Sequence, residues 1–178
     1  LSYFTQPNYP NAALGIEKDR VTAVSLDREG RGRYAVRQAA SIELPNGLLE
    51  PSFTERNIAD SRQFRLMLEE AVMTAGLMNQ RSWSVSLPSA TARTAILTVD
   101  SNSGGRAESE EILDWKAEQT FGAPAGELRI SRRKIPGDSD GKIRYFSTAV
   151  KLAVIDENET IFEELGWKAG LILPRAVS

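Results

Sequence analysis

The sequence contains no cysteine and no histidine. Without thiols there are no disulfides, no thiolate metal sites and no cysteine nucleophile. Without imidazole the commonest general base and the commonest metal ligand are missing, together with every triad built on them. No apolar run approaches the ~20 residues needed to span a bilayer, and nothing at the start reads as a signal peptide. A formal net charge of −2 gives no reason to expect nucleic acid as the main partner. What is present is a chain of 178 residues, 41% hydrophobic, long enough for one domain or two small subdomains with a proper core. The expected compartment is the cytoplasm. The chain begins at Leu1 and stops at "LPRAVS" directly after a strand-like run, as an excised fragment would.

Strand and helix signals alternate in a readable order. Residues 13–17 and 21–27 are apolar runs joined by the polar turn Lys18-Asp19-Arg20. "REGRG" (28–32) makes a second turn, followed by a strand placing Tyr34, Val36, Ala40 and Ile42 on one face at period two. These three strands read as an antiparallel meander. After "ELPNGLLEPSF" comes a helix capped by Asp60 or Ser61, striped by Phe64, Leu68, Ala71, Val72 and Ala75, and stopped by Gly76. "WSVSL" follows as a strand with Trp83, Val85 and Leu87 on one side, which closes a βαβ connection back onto the sheet.

The second half has a different grammar. A strand over 92–99 and the loop "DSNSGGRAESEE" lead into a helix through Ile112, Leu113, Trp115 and Phe121, closed by Gly122 and Pro124. Strands at 127–135 and 143–154 flank the turn "PGDSDG" (136–141). A short helix, 156–165, with Asp156 as cap and Gly166 as stop, precedes a last strand at 168–173. No internal repeat is present.

This order of elements resembles the first half of the actin-like PilM family of type IV pilus assembly proteins, related to the cell-division protein FtsA. The matching stretches are "LGIEKDRVTAVSL", "ELPNGLL…NIADSRQFRLMLEEAVMTAGL", "WSVSLPSATARTAIL", "EEILDWKAEQTFGAP" and "ETIFEELGWKAGLILPRAV". They run from about Ala13 to the end of the chain, and no single one is diagnostic. The resemblance implies an α/β fold: an actin-like, RNase H-like first-half domain with a three-strand meander plus βαβ. An inserted strand-helix-strand-strand (α+β) subdomain completes it. The expected division is 1–89 with 144–178 for the first, and 90–143 for the insert. The family belongs to the inner-membrane platform of the pilus, typically binds ATP, and holds the N-terminal cytoplasmic peptide of the membrane protein PilN.

The family's first hairpin looks like "GIDIGSSSVK", in which the Asp organises a metal and the Gly/Ser turn offers backbone N–H groups to phosphate. Here Glu17 falls at the Asp position, but the turn is two residues shorter and has neither Gly nor Ser. Lys18, Asp19 and Arg20 are bulky charged residues suited to solvating a hairpin tip. With the second half of the cleft absent as well, the phosphate hairpin Glu17, Lys18, Asp19, Arg20 is expected to be degenerate. No cofactor is expected in this fragment, with ATP and Mg only in an intact two-half member of the family.

Other charge clusters favour plain readings. "RISRRK" (129–134) guards a sheet edge, since no aromatic alternates with its cations as nucleic-acid stacking requires. "ESEE" (108–111) suits the first turn of a helix better than a metal. "SGG" (103–105) lacks the Lys-Ser/Thr that a P-loop requires. Glu17, Asp100 and Glu118 show no spacing that converges them for two-metal chemistry. Trp115 is either core or an aromatic anchor.

The leading expectation is therefore a non-enzymatic scaffold with no catalytic residue and no metal. It docks the N-terminal cytoplasmic peptide of a PilN-like inner-membrane protein in a groove between the meander sheet and the insert. It meets the membrane only through partners. Arg93, on a strand otherwise of Ala, Thr, Ile, Leu and Val, is expected to reach an edge, a carboxylate or a partner. Trp115 and Glu118, three apart, share a helix face on which an aromatic surface meets an acceptor for backbone N–H groups. Two alternatives stand beside this reading: an actin-like ATPase or sugar-kinase relative, and the cytoplasmic domain of the type II secretion protein GspL.

Overall fold

In the computed structural model, residues 9–30, 33–100, 106–136 and 141–175 are described. The "SGG" segment, most of "PGDSDG" and the last residues of "LPRAVS" lie outside them. The chain divides into two compact units: residues 1–51, 56–89 and 156–178, and residues 52–55 with 90–155.

The first unit is built on a mixed five-stranded sheet. Its strands are β1 (Ala12–Glu17), β2 (Arg20–Arg28), β3 (Tyr34–Glu43), β4 (Ser82–Leu87) and β8 (Lys168–Pro174), in the order β3-β2-β1-β4-β8. β1 and β2 pair antiparallel, as do β2 and β3, whereas β1–β4 and β4–β8 are parallel. The meander and the βαβ return are thus both present. Alternation explains the inward faces: Ala12, Leu14 and Ile16 on β1, and Trp83, Val85 and Leu87 on β4, are buried, while their neighbours are only partly covered.

One expected face is broken. Ser25 faces Gln38 and Leu26 faces Val36, so Arg37 is an extra residue in β3. A bulge of one residue reverses the alternation beyond it. Ala40 and Ile42 stay half-buried, but Tyr34 and Val36 swing to the opposite face and are exposed.

A second bulge lies between β4 and β8. Trp83 pairs with Ala169 and Ser84 with Leu171, which leaves Gly170 as the extra residue. A Cβ on Gly170 would stand 2.8 Å from Pro10 Cγ and 3.1 Å from its Cδ. Pro10 cannot move freely, because its carbonyl accepts a hydrogen bond from Ser84 Oγ at 3.2 Å. Gly170→Ala is expected to destabilise the protein by about 1–3 kcal/mol through overpacking, read as a lower urea midpoint at unchanged slope. An unchanged midpoint would show that the Pro10 segment yields.

α1 (Ser61–Thr74) crosses from β3 to β4. Of the two candidate caps, Asp60 is the one used: its Oδ1 accepts from Gln63 N at 2.9 Å. Phe64, Leu68, Ala71, Val72 and Ala75 are buried, as their spacing predicts. Gly76, at φ +72°, ends the helix with the paired bonds Gly76 N to Met73 O and Leu77 N to Val72 O.

In the second unit, β5 (Ala92–Asp100), β6 (Leu128–Ile135) and β7 (Lys142–Lys151) form an antiparallel sheet in the order β5-β7-β6. α2 (Arg106–Phe121) sends Leu113, Ala117 and Phe121 into a core with Leu97, Val99 and Ala149, to which Phe53 is added. The spacing i, i+4, i+8 is one helix face, and Trp115 is off it. The expected boundary at 143/144 is corrected here. β7 is the central strand of this sheet, hydrogen-bonded on both sides, so its residues belong with the insert and the boundary falls at 155/156.

α3 also departs from expectation. It starts at Leu152, so residues 152–154 are helix and not strand, and Asp156 lies inside the helix as no cap. The β-branched residues of "LAVI" favour a strand locally. Packing overrides them: Val154, Ile155, Asn158, Ile161 and Phe162 are buried at helical spacing. The helix ends as α1 does, with Gly166 at φ +68° and bonds from Gly166 N to Glu163 O and Trp167 N to Phe162 O. That motif carries an apolar contact between its outer residues. Here it is Trp167 edge-on to Phe162 at 5.8 Å.

Candidate functional site

The hairpin at the phosphate position is a tight β1–β2 connection in which Glu17 pairs with Arg20 and only Lys18 and Asp19 turn. Each charge has a partner. Glu17 Oε1 lies 2.5 Å from Arg175 Nη1, Lys18 Nζ 2.7 Å from Glu50 Oε2, and Arg20 grips Asp19 through Nε and Nη2 at 3.2 and 3.1 Å. The hydrogen bonds from Arg20 hold the Asp19 carboxyl below the usual carboxylate range. Ion pairs this exposed are weak and a phosphate could displace them. The backbone is more decisive. A phosphate-cradling nest alternates right- and left-handed residues, yet no described non-glycine residue has a positive φ and the turn contains no glycine.

Arg93, Trp115 and Glu118 all belong to the second unit. Arg93 Nη1 donates to the Phe121 carbonyl at 2.8 Å, and its guanidinium carbon sits 4.4 Å over the Phe53 ring. It therefore satisfies a carbonyl left open by the end of α2 and covers an aromatic face. Glu118 Oε1 accepts from Ala125 N at 2.8 Å, while the Glu118 carbonyl accepts from Gly122 N. Gly122, at φ +72°, turns the chain between them. Arg93 and Glu118 are thus brought to the same helix end, where both hold the turn after α2. Trp115 is 60% exposed and is not a core residue. On α2 its neighbours one turn away are Glu111, Ile112, Glu118 and Gln119, an aromatic surface with carboxylates beside it.

The basic run splits by strand alternation. Arg132 turns toward α2 and meets Asp114 Oδ1 through Nη2 at 2.5 Å, whereas Arg129 and Arg133 lie on the other face of β6, an edge strand. Glu108 sits in the first turn of α2, where an acid is favourable. Among the described residues no group of three or more acidic residues could hold a metal ion, and Glu17, Asp100 and Glu118 form no such cluster. No described helix is long and apolar enough to cross a membrane.

A feature not anticipated from sequence lies in the first unit. A cavity of about 670 Å³ opens between the outer side of α1 and the end of α3, walled by Leu66, Met67, Met73, Met78, Leu165 and Trp167. Its signal was legible: Leu66 and Met73, seven apart, fall off the buried stripe of α1 and make a second apolar line.

Neither a family model nor a curated protein matches this sequence. Solved structures do. A chain of the "PilM-PilN type IV pilus biogenesis complex" superposes with a TM-score of 0.76 at 16% identity, over 96% of this chain and 48% of its own. The cytoplasmic domain of EpsL, an inner membrane component of the type II secretion system of Vibrio cholerae, gives a TM-score of 0.54 at 11% identity. That match spans 92% of this chain and 56% of the EpsL domain. The chain thus spans about half the length of the structures it matches. At these identities the likeness establishes the fold, the expected actin-like first half with its α+β insert.

Proposed function

We propose that this chain is a non-enzymatic scaffold of a type IV pilus inner-membrane platform, docking the N-terminal cytoplasmic peptide of a PilN-like protein on its second unit and lacking a working nucleotide site. The observation that carries this reading is the fold shared, over nearly the whole chain, with a structure solved as a PilM–PilN complex. Trp115, exposed on α2 beside carboxylates, is the residue best suited to anchor an apolar peptide. Arg93 and Glu118 shape the helix end beneath it and act as positioning residues.

The loss of nucleotide binding rests on the β1–β2 turn. A shortened hairpin without a left-handed residue offers no cradle of N–H groups, and Arg175 stands against the one carboxylate at the metal-organising position. Calorimetric titration with Mg-ATP is expected to give no saturable heat below millimolar concentration, while a PilN-like peptide binds. Micromolar Mg-ATP affinity would overturn the degenerate-site reading and return the chain to the actin-like ATPases.

A second reading, the cytoplasmic domain of a GspL-type secretion protein, is favoured by the EpsL likeness. It has the weaker fold likeness behind it, a TM-score of 0.54 against 0.76. A transmembrane helix further along the same polypeptide would select it over the pilus reading.

A further inference from the structure

We infer that the groove between α1 and the end of α3 is a docking site for an amphipathic, basic helix of a partner protein. The inference does not rest on the peptide dock proposed for α2, which uses other residues in the other unit. Its walls are apolar and unusually open for a helix that already buries one full stripe. Leu66, Met73 and Met78 are 50%, 59% and 61% exposed. Three of the wall residues are methionines, whose unbranched, polarisable side chains adapt to an incoming surface. The volume, about 670 Å³, lies within the ~300–1,000 Å³ of ordinary ligand clefts.

Charge selects the occupant. Glu69 and Glu70, both exposed, line the groove. Among the described residues the one cation lining it is Arg81, which is engaged with its own turn: Nη1 donates to the carbonyls of Met78 at 2.8 Å and Gln80 at 3.1 Å. A smaller depression that shares Trp167 adds Glu159 and Glu163 and, among the described residues, the single cation Lys168. The rim is therefore acidic, which repels anionic lipid and nucleic acid and attracts Lys and Arg beside an apolar face. Backbone chemistry selects the conformation. Among the described residues, the groove itself is walled by a helix, two turns and the residue leading into β4, while the β8 edge borders only the adjoining depression. An extended segment would find no ladder for its N–H and C=O groups, whereas a helix satisfies its own.

The floor is rigid. Trp167 is held by the turn after α3 and packs at 5.4 Å against the fully buried Trp83. Arg65 Nη1 ties α1 to Glu164 at 2.9 Å. The two walls are thus fixed to each other before any partner arrives, so little ordering cost falls on the protein side.

The test uses two synthetic amphipathic helices of identical apolar face, one flanked by Lys and one by Glu, titrated by fluorescence anisotropy. The Lys peptide is expected to bind at micromolar concentration and at least tenfold tighter than the Glu peptide. Met73→Asp is expected to weaken it at least tenfold, and the double variant Glu69→Lys/Glu70→Lys to remove the preference for Lys. Trp115→Ala is expected to leave it unchanged, which separates this site from the dock on α2. Should Met73→Asp fail to fold, Met78→Asp in the adjoining turn makes the same test. Equal binding of the two peptides, or binding insensitive to Met73→Asp and Met78→Asp, would overturn the inference. So would a dimer in sedimentation that Met73→Asp dissolves, since a second copy would then be the occupant.

Discussion

Trp83→Ala is expected to lower stability by about 3–5 kcal/mol, the range of a fully buried aromatic truncated to alanine. Trp83 has no exposed surface and lies on β4, between the parallel partners β1 and β8. Its ring meets Trp167 at a centroid distance of 5.4 Å and 49° tilt, and Trp167 in turn meets Phe162. Truncation removes the central ring contact and leaves a cavity that strands on either side prevent from collapsing. At roughly 2–4 °C per kcal/mol for a chain of this size, the melting midpoint should fall by about 6–20 °C. Differential scanning calorimetry reads it directly. A drop of under 2 °C would mean that the neighbouring strands close the void.

The companion variant separates packing from polarity. Trp83 Nε1 is buried and has no hydrogen-bond partner among the described residues. Trp83→Phe keeps a ring against Trp167 and removes that unpaired donor, so it is expected to cost far less than Trp83→Ala. The effect reaches the surface, because Trp167 floors the groove beside α1. Trp83→Ala should weaken any occupant of that groove without touching a residue that lines it.

The patterned elements were legible in the sequence because local signals and packing agree there. Asp60, Gly76, Gly122 and Gly166 each mark a helix end, and the serines of "WSVSL" alternate with its buried residues. Misreadings arose where two forces compete. "LAVI" has strand propensity, but its residues are wanted by a helix face, and propensities of a few tenths of a kcal/mol lose to burial. Arg37 shows nothing in its identity that announces a bulge, yet one extra residue turned Tyr34 and Val36 outward. β7 could not be assigned to a unit from its sequence, since strand pairing is a non-local choice. At the candidate site, the sequence put Trp115 and Glu118 on one helix face and Arg93 on a strand. It could not show that Arg93 would choose a backbone carbonyl and a phenyl face over a carboxylate.

That choice sharpens the last prediction. Trp115→Ala is expected to weaken a PilN-like peptide by about 2 kcal/mol or more, roughly thirtyfold, with thermal stability essentially unchanged. The reasoning begins with exposure. At 60% exposed, Trp115 gives the free protein little burial to lose, and surface truncations usually stay within about 0.5 kcal/mol. An exposed indole on a rigid helix instead holds its apolar area in reserve for a partner. Its exposed α2 neighbour Glu111 places a carboxylate where peptide N–H groups or a basic residue would arrive. Arg93→Ala is the contrasting control. It strips the Phe121 carbonyl of its donor and Phe53 of its cation, so it should cost about 1–3 kcal/mol of stability. Glu118→Ala should act the same way through the Ala125 N–H. Trp115→Phe, which keeps an aromatic face, should recover part of the affinity. Unchanged affinity in Trp115→Ala would remove this tryptophan from the dock. A large loss of stability there would mean that the indole braces α2.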